Sequence, residues 1–370
     1  MRISVPTEVK NNEYRVALTP AGVHDLVRSG HEVFVQSGAG AGSSMPDAEY
    51  AEAGATMLDS AEEVWSRAEL LLKVKEPIAS EYDHFRDDLT LFTYLHLAAD
   101  RPLTERLLAD KVTAIAYETV QLPGGGLPLL APMSEVAGRL APLVGANTLM
   151  RSNGGLGLLM SGVPGTRPAT VTVIGGGVAG ANAAVIASGM GADVTIFDTN
   201  IPRLRMLDDH FSGRVKTAAS NPLDLRRAVI DSDLVIGSVL IPGARAPKLV
   251  TNEMVSQMRP GSVLVDIAVD QGGCFEDTHP TTHDDPTFPV HDTVFYCVAN
   301  MPGAVPNTST SALTNATLPY VRQIAGRGWR DALGADTALA GGLNVAEGAV
   351  INDGVAVAHG MQARPITAVL

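Results

Sequence analysis

The segment VTVIGGGVAG over Val171–Gly180 constrains this chain more than any other. A β-branched run ends at Ile174, glycines follow at 175, 177 and 180, and an apolar, alanine-rich stretch begins at once. The pattern predicts a strand, a tight turn and a helix. Gly175 permits the turn, Gly177 lets a pyrophosphate approach the backbone, and Gly180 lets helix and strand pack closely. The helix N-terminus then offers unpaired N–H groups and a partial positive charge to phosphate. Asp198 closes the next apolar run, 23 residues after Gly175. A carboxylate there accepts hydrogen bonds from the hydroxyls of an adenosine ribose and repels a 2′-phosphate. The expected cofactor is therefore NAD rather than NADP, a preference that the nearby Arg203 and Arg205 work against.

The same segment belongs to a longer stretch, Pro168–Ala192, without a single charged residue. It is long enough to span a bilayer. Its six glycines and its polar Asn182, Ser188 and two threonines fit a strand and glycine turn better.

Short apolar runs alternate with amphipathic segments along most of the chain, which predicts α/β architecture with mostly parallel sheets. Six β-like runs occupy the first third: Arg2–Val5, Glu32–Gln36, Thr56–Leu58, Glu69–Val74, Leu89–Tyr94 and Val112–Tyr117. Thr19-Pro20, Asp100, with Pro102 just inside, and Asn221-Pro222, with Asp224 in the first turn, read as helix starts, and Gly30 as a helix stop. A long helix is expected from about Pro132 to Met150, then a loop over Asn153–Arg167. Six more β-like runs follow: Thr170–Ile174, Asp193–Phe197, Arg214–Thr217, Leu234–Gly237, Ser262–Ile267 and Val294–Val298. A further helix runs to about Ile324, and the tail from Thr337 holds too few strands for a domain of its own. The expected organisation is two doubly wound domains: a discontinuous one over residues 1–130 and 305–370, and an inserted dinucleotide-binding domain over 131–304.

Composition removes several function classes. The net charge of −13 and the absence of any long Lys/Arg run argue against nucleic acid and against an anionic membrane surface. With aromatics at 5%, a stacking platform for single strands is not expected. Cys274 and Cys297 fit no zinc spacing and are expected as buried, reduced thiols. The start, MRISVPTEVKNNEYR, lacks an apolar signal-peptide core, so the expected location is the cytoplasm.

Ligands of open α/β sheets gather outside the carboxyl ends of the strands. Four ionisable residues fall at such ends: Arg15 after the first strand, Lys75 after Leu70–Val74, His96 after Leu91–Leu95, and Asp270 after Val263–Ile267. Each has a bland alternative: a surface ion pair for Arg15, a solvated cation for Lys75, a satisfied core histidine for His96, a loop cap for Asp270. Their shared placement favours one cleft instead. Two cations suit a small carboxylate, the lysine can polarise a carbonyl, and an imidazole suits proton transfer near neutral pH.

These residues lie in segments that resemble the alanine dehydrogenase and transhydrogenase nucleotide-binding family. The likeness is carried by RISVPTEVKNNEYRVALTPAG over Arg2–Gly22, GGGVAGANAA over Gly175–Ala184, GMGADVTIFD over Gly189–Asp198, THPTTHDD over Thr278–Asp285 and NMPGAVPNTST over Asn300–Thr310. The resemblance implies reversible oxidative deamination of L-alanine to pyruvate and ammonia. It implies substrate binding by Arg15 and Lys75 and acid–base work by His96 and Asp270. Besides the glycines and Asp198, it implies cofactor contacts from Ser134, Val178, Ala179, Arg203, Ser220, Val239, Leu240, Ile267 and the turn Val298–Met301, including Asn300 and Met301. It also implies a homo-hexamer. Gln323 and Arg327 stand where some members have an acid and a histidine, so no metal is expected there. His279 stands where some relatives have arginine. His279 and His283 are four apart, but the loop containing Pro280 breaks the geometry that would align them on a metal. A transhydrogenase-like component, a non-catalytic NAD-sensing protein and a lysine-pathway or hydroxyacid dehydrogenase are the competing readings.

Overall fold

A computed structural model describes residues 1–239 and 247–370. The chain divides into two compact units, Met1–Met133 with Val305–Leu370, and Ser134–Ala304. Both are α/β, each built on one mostly parallel sheet.

The first unit opens with β1 (Arg2–Val5), β2 (Glu32–Gln36), β3 (Thr56–Leu58), β4 (Leu70–Leu72), β5 (Thr90–Thr93) and β6 (Thr113–Ala116). The second unit contains β7 (Thr170–Ile174), β8 (Asp193–Asp198), β9 (Lys216–Ala219), β10 (Leu234–Gly237), β11 (Val263–Asp266), β12 (Thr287–Val290) and β13 (Thr293–Tyr296). The chain then returns to the first sheet with β14 (Leu343–Ala346) and β15 (Ala349–Val350). The first sheet runs β15-β14-β6-β5-β4-β1-β2-β3 and the second β12-β13-β11-β10-β7-β8-β9. In both, the order reverses beside the first strand, which is the doubly wound arrangement.

The sequence explains these layers. Helices cover both faces of a parallel sheet, so its strands are apolar throughout. In the second unit the alternation sorts side chains between faces: Leu234, Ile236, Val263 and Val265 join one core cluster, and Val235 and Leu264 the other. Helix starts follow their caps. Thr19 accepts from the Gly22 amide (3.2 Å), Asp100 from Leu103 (3.0 Å) and Asn221 from Asp224 (2.9 Å). The long helices cover Ala131–Thr148 and Pro306–Arg327. The uncharged stretch 168–192 becomes β7 and the helix Val178–Gly189. No helix of the described residues is long and apolar enough to cross a membrane. Cys274 and Cys297 are free and buried.

The differences from the expected strands have local causes. β4 and β5 stop short of Val74 and Tyr94 because acidic side chains capture the amides that follow: Glu8 takes those of Val74 and Lys75, and Glu118 those of Leu95 and His96. β9 lies two residues later than Arg214–Thr217, since Arg214 is still in the turn after the preceding helix. Three strands were not anticipated. β12 pairs antiparallel with β13, β14 with β6, and β15 with β14. Each is a short sheet-edge addition with little periodicity to read.

Candidate active site

In the first unit, the carboxyl ends of β1, β4, β5 and β6 bring a set of charged side chains together. The loop after β1 supplies Glu8, Lys10, Glu13 and Arg15. The end of β4 supplies Lys73, Lys75 and Glu76, the end of β5 supplies His96, and the turn after β6 supplies Glu118.

Arg15 is only 2% exposed. Glu13 grips its fork, taking Nε at 2.7 Å and Nη2 at 2.5 Å, while Nη1 faces the Met133 sulfur at 3.0 Å. Burial opposes the charge, but the hydrogen bonds and charge of Glu13 outweigh it and raise the guanidinium's pKa. Glu13 thereby fixes the guanidinium in one orientation. The half-buried Lys75 has its backbone amide on Glu8 (3.3 Å) and its carbonyl on the Thr93 hydroxyl (3.1 Å). Its ammonium has no hydrogen-bond or ion-pair partner among the described residues. Lys73 is fully buried between Glu8 (3.2 Å) and Glu81 (2.9 Å), neither contact being aligned as a hydrogen bond. Burial pushes the Glu8 carboxyl up against the opposing pull of Lys73.

His96 holds a left-handed backbone (φ 51°, ψ 32°) that non-glycine residues rarely adopt. Glu118 pins it there by accepting the His96 amide at 2.6 Å and the Leu95 amide at 3.2 Å. The imidazole Nδ1 lies 3.2 Å from a Glu76 carboxylate oxygen, and the other oxygen is bonded by Lys10. The Tyr94 ring stacks at 6.0 Å. Burial disfavours the imidazolium and Lys75 opposes it, but the Glu76 bond and the Glu118 charge together leave the pKa raised.

In the second unit the glycine turn forms a cradle beside the order reversal of the sheet. Gly175 has φ 101°, in the left-handed region open to glycine. A methyl on Gly180 would lie 1.8 Å from the Gly175 carbonyl oxygen, whereas one on Gly177 would meet nothing within 4 Å. The helix Val178–Gly189 has no side-chain cap. Its first amides, including those of Val178, Ala179 and Gly180, are thus available to phosphate. Asp198 accepts the Gly176 amide (2.6 Å) and the Asn200 amide (2.8 Å), one on each oxygen, and Arg203 Nε donates to the Gly176 carbonyl (2.5 Å). Ser220 donates its amide to the Asp198 carbonyl (2.9 Å). Val239 and Ile267 pack on the two core clusters, and Val298 and Met301 are buried. Ser134 stands one turn before Gly138, where the helix Ala131–Thr148 is so close to Ala179 that a methyl on Gly138 would lie 2.2 Å from the Ala179 carbonyl oxygen. Open space at Gly177, uncapped amides and a carboxylate at the end of β8 fit a dinucleotide.

Arg15, Lys75 and His96 therefore fall in one cluster. Asp270 belongs to the second unit, exposed in the turn Val269–Gln271, where it accepts the Asn300 amide at 3.3 Å. Leu240 lies outside the described residues. His279 packs on the Phe288 ring at 3.7 Å, and His283 Nε2 lies 3.4 Å from the Asn300 carbonyl oxygen. Sequence reasoning passed over Glu8, Glu13, Glu76 and Glu118, which hold the expected residues in place. Their signal is a requirement of charge: a cation near a buried strand end needs an acid. It also passed over Ser238, whose hydroxyl donates to the Ile174 (2.9 Å) and Gly175 (3.0 Å) carbonyls.

Comparison with known proteins gives concordant matches. Residues 4–137 match the family described as "Alanine dehydrogenase/PNT, N-terminal domain", and residues 141–353 its "C-terminal domain". An alanine dehydrogenase of Mycolicibacterium smegmatis is 63% identical over 96% of this chain and 96% of its own. A solved L-alanine dehydrogenase matches at TM-score 0.94 and 52% identity, over 97% of this chain and 99% of its own. A solved transhydrogenase from Sinorhizobium meliloti matches at TM-score 0.83 and 25% identity, over 95% of this chain and 100% of its own.

Proposed function

The chain belongs to the alanine dehydrogenase/PNT family, and from that premise we propose that it catalyses the reversible, NAD-dependent oxidative deamination of L-alanine to pyruvate and ammonia. The observation that carries the reading is the convergence of Arg15, Lys75 and His96 at adjacent strand ends, with the arginine and the histidine each gripped by a carboxylate. The much higher identity to alanine dehydrogenases disfavours the transhydrogenase alternative.

Arg15, oriented by Glu13, donates hydrogen bonds to the substrate carboxylate, and Lys75 supplies a positive charge beside it. The clamp holds the Cα–H bond in one orientation, which converts positioning into rate. When bound, the nicotinamide accepts the hydride that leaves Cα. His96 then takes a proton from water as its oxygen bonds to the iminium carbon and the C=N electron pair moves to nitrogen. His96 returns that proton to the carbinolamine nitrogen; the C–N bond then breaks as the hydroxyl oxygen forms the carbonyl and its proton passes to His96, releasing ammonia and pyruvate. Asp270 assists by stabilising positive charge on the iminium. Lys75 polarises the carbonyl in the reverse direction.

The reading includes NAD over NADP, supported by the Asp198 carboxylate at the end of β8. It also includes a cytoplasmic homo-hexamer, supported by the family resemblance. The test follows NADH absorbance with pyruvate, with and without ammonium, against a panel of other 2-oxo acids. Ammonium-dependent oxidation strongest with pyruvate is expected, and pyruvate-independent turnover would refute the assignment. His96→Ala is expected to lose nearly all kcat while still binding NADH.

A further inference from the structure

His96 carries a question that the reaction does not answer: which ring nitrogen exchanges the proton. An imidazole can use either, and the choice is set by what holds the other. Glu76 follows Lys75 on the loop after β4 and reaches back to His96 Nδ1 at 3.2 Å. Its second oxygen is bonded by Lys10 from the loop after β1. Burial opposes a negative charge on Glu76. The hydrogen bond and charge of His96, the charge of Lys75 and the bond from Lys10 outweigh it, holding the carboxyl well below its ordinary range. An ionised carboxylate only accepts hydrogen bonds, so the nitrogen facing it must carry the hydrogen. Nε2 has no hydrogen-bond partner among the described residues, and the His96 side chain is 35% exposed.

We propose that Glu76 is a positioning residue for His96: braced by Lys10, it fixes the Nδ1–H form of the neutral ring and so leaves Nε2 as the nitrogen that exchanges protons with the substrate. This rests on His96 as the proton carrier. The charged and titratable groups around the ring are Glu76 and Lys75 from the loop after β4, Glu118 from the turn after β6, and Tyr94 just past the end of β5, with Lys10 acting through Glu76. Glu118 hydrogen-bonds the backbone of His96 and acts on the ring through its charge alone, so Glu76 is the carboxylate that holds a ring nitrogen.

The first measurement uses the wild-type enzyme with nitrogen-15-labelled histidine. Magic-angle-spinning spectra above the titration show which nitrogen of the neutral ring is protonated, with the His96 signals assigned by their loss in His96→Gln. Hydrogen on Nδ1 is expected; hydrogen on Nε2 overturns the proposal. The second uses Glu76→Gln, which keeps an acceptor of the same shape and removes the charge. The ring pKa and the matching limb of the kcat/KM–pH profile are expected to move together to lower pH by about one unit. An unchanged spectrum and profile overturn the proposal, and if Glu76→Gln does not fold, the wild-type spectrum decides alone. The spectra do not depend on turnover: an active His96→Ala enzyme would end the proton-carrier reading and leave the ring's tautomer to be judged separately.

Discussion

Gly177→Ala separates what the glycine turn does for the fold from what it does for a ligand. Gly177 has φ −67° and ψ −162°, a backbone any residue adopts. A methyl there meets nothing within 4 Å. Alanine is a poorer N-cap than glycine by no more than about 1 kcal/mol, and a stiffer unfolded chain returns roughly 0.4–1 kcal/mol. The melting temperature without cofactor should therefore move by less than about 4 °C. With cofactor, the methyl stands in the space through which a pyrophosphate reaches the first amides of the helix. Forcing an extra methyl into a packed contact costs about 1–3 kcal/mol. That corresponds to a Kd for NADH raised about 5- to 150-fold. Gly180→Ala is the contrasting case. Its methyl would lie 1.8 Å from the Gly175 carbonyl oxygen and 2.6 Å from the Ser238 hydroxyl, so the turn itself must shift and stability falls with or without ligand. Fluorescence titration with NADH and calorimetric melting of both variants make the comparison. Wild-type NADH affinity in Gly177→Ala, or a cofactor-free melting point as low as that of Gly180→Ala, would refute the reasoning.

Other perturbations reach the rest of the site. Glu13→Ala leaves the buried Arg15 without its carboxylate, and denaturant titration should show a loss of about 3–5 kcal/mol together with a raised KM for pyruvate. Asp198→Ala removes the charge that would face a 2′-phosphate, so the NADP-to-NAD ratio of kcat/KM should rise by at least about tenfold, a change of about 1.4 kcal/mol. The Glu76–His96 pair fixes a pH window for stability. The Glu76 pKa is depressed in the folded state, so its contribution is present above the unfolded value near 4.3 and is lost as pH falls. The His96 pKa is raised, so its contribution is present below the unfolded value near 6.5 and is lost as pH rises. The stability gap between wild type and Glu76→Gln, measured in urea, should be widest between about pH 4.5 and 6.5. A gap that grows steadily towards pH 9 would contradict it.

The parts of this protein that were legible in its sequence are those fixed by local rules. The glycine spacing at 175, 177 and 180 depends on a few neighbouring backbone atoms, and the caps at Thr19, Asp100 and Asn221 on amides three residues away. Lys75 and His96 could be found because parallel strands are apolar and ionisable residues follow close on their ends, whereas Arg15 lies further along the loop after β1. Glu8 and Glu118 escaped the same reasoning because their partners are remote: 66 and 67 residues separate Glu8 from the amides it accepts, and 22 separate Glu118 from His96. Side chains took over backbone hydrogen bonds that the period-two pattern assigned to the sheet, so β4 and β5 ended early just where the site begins. A strand that stops before its apolar run does is thus a usable signal in itself. It implies a buried acceptor from another loop, and in a chain with 40 acidic residues against 27 basic ones, that acceptor is best sought among the acids following neighbouring strands. Glu8 after β1 and Glu118 after β6 both meet that description.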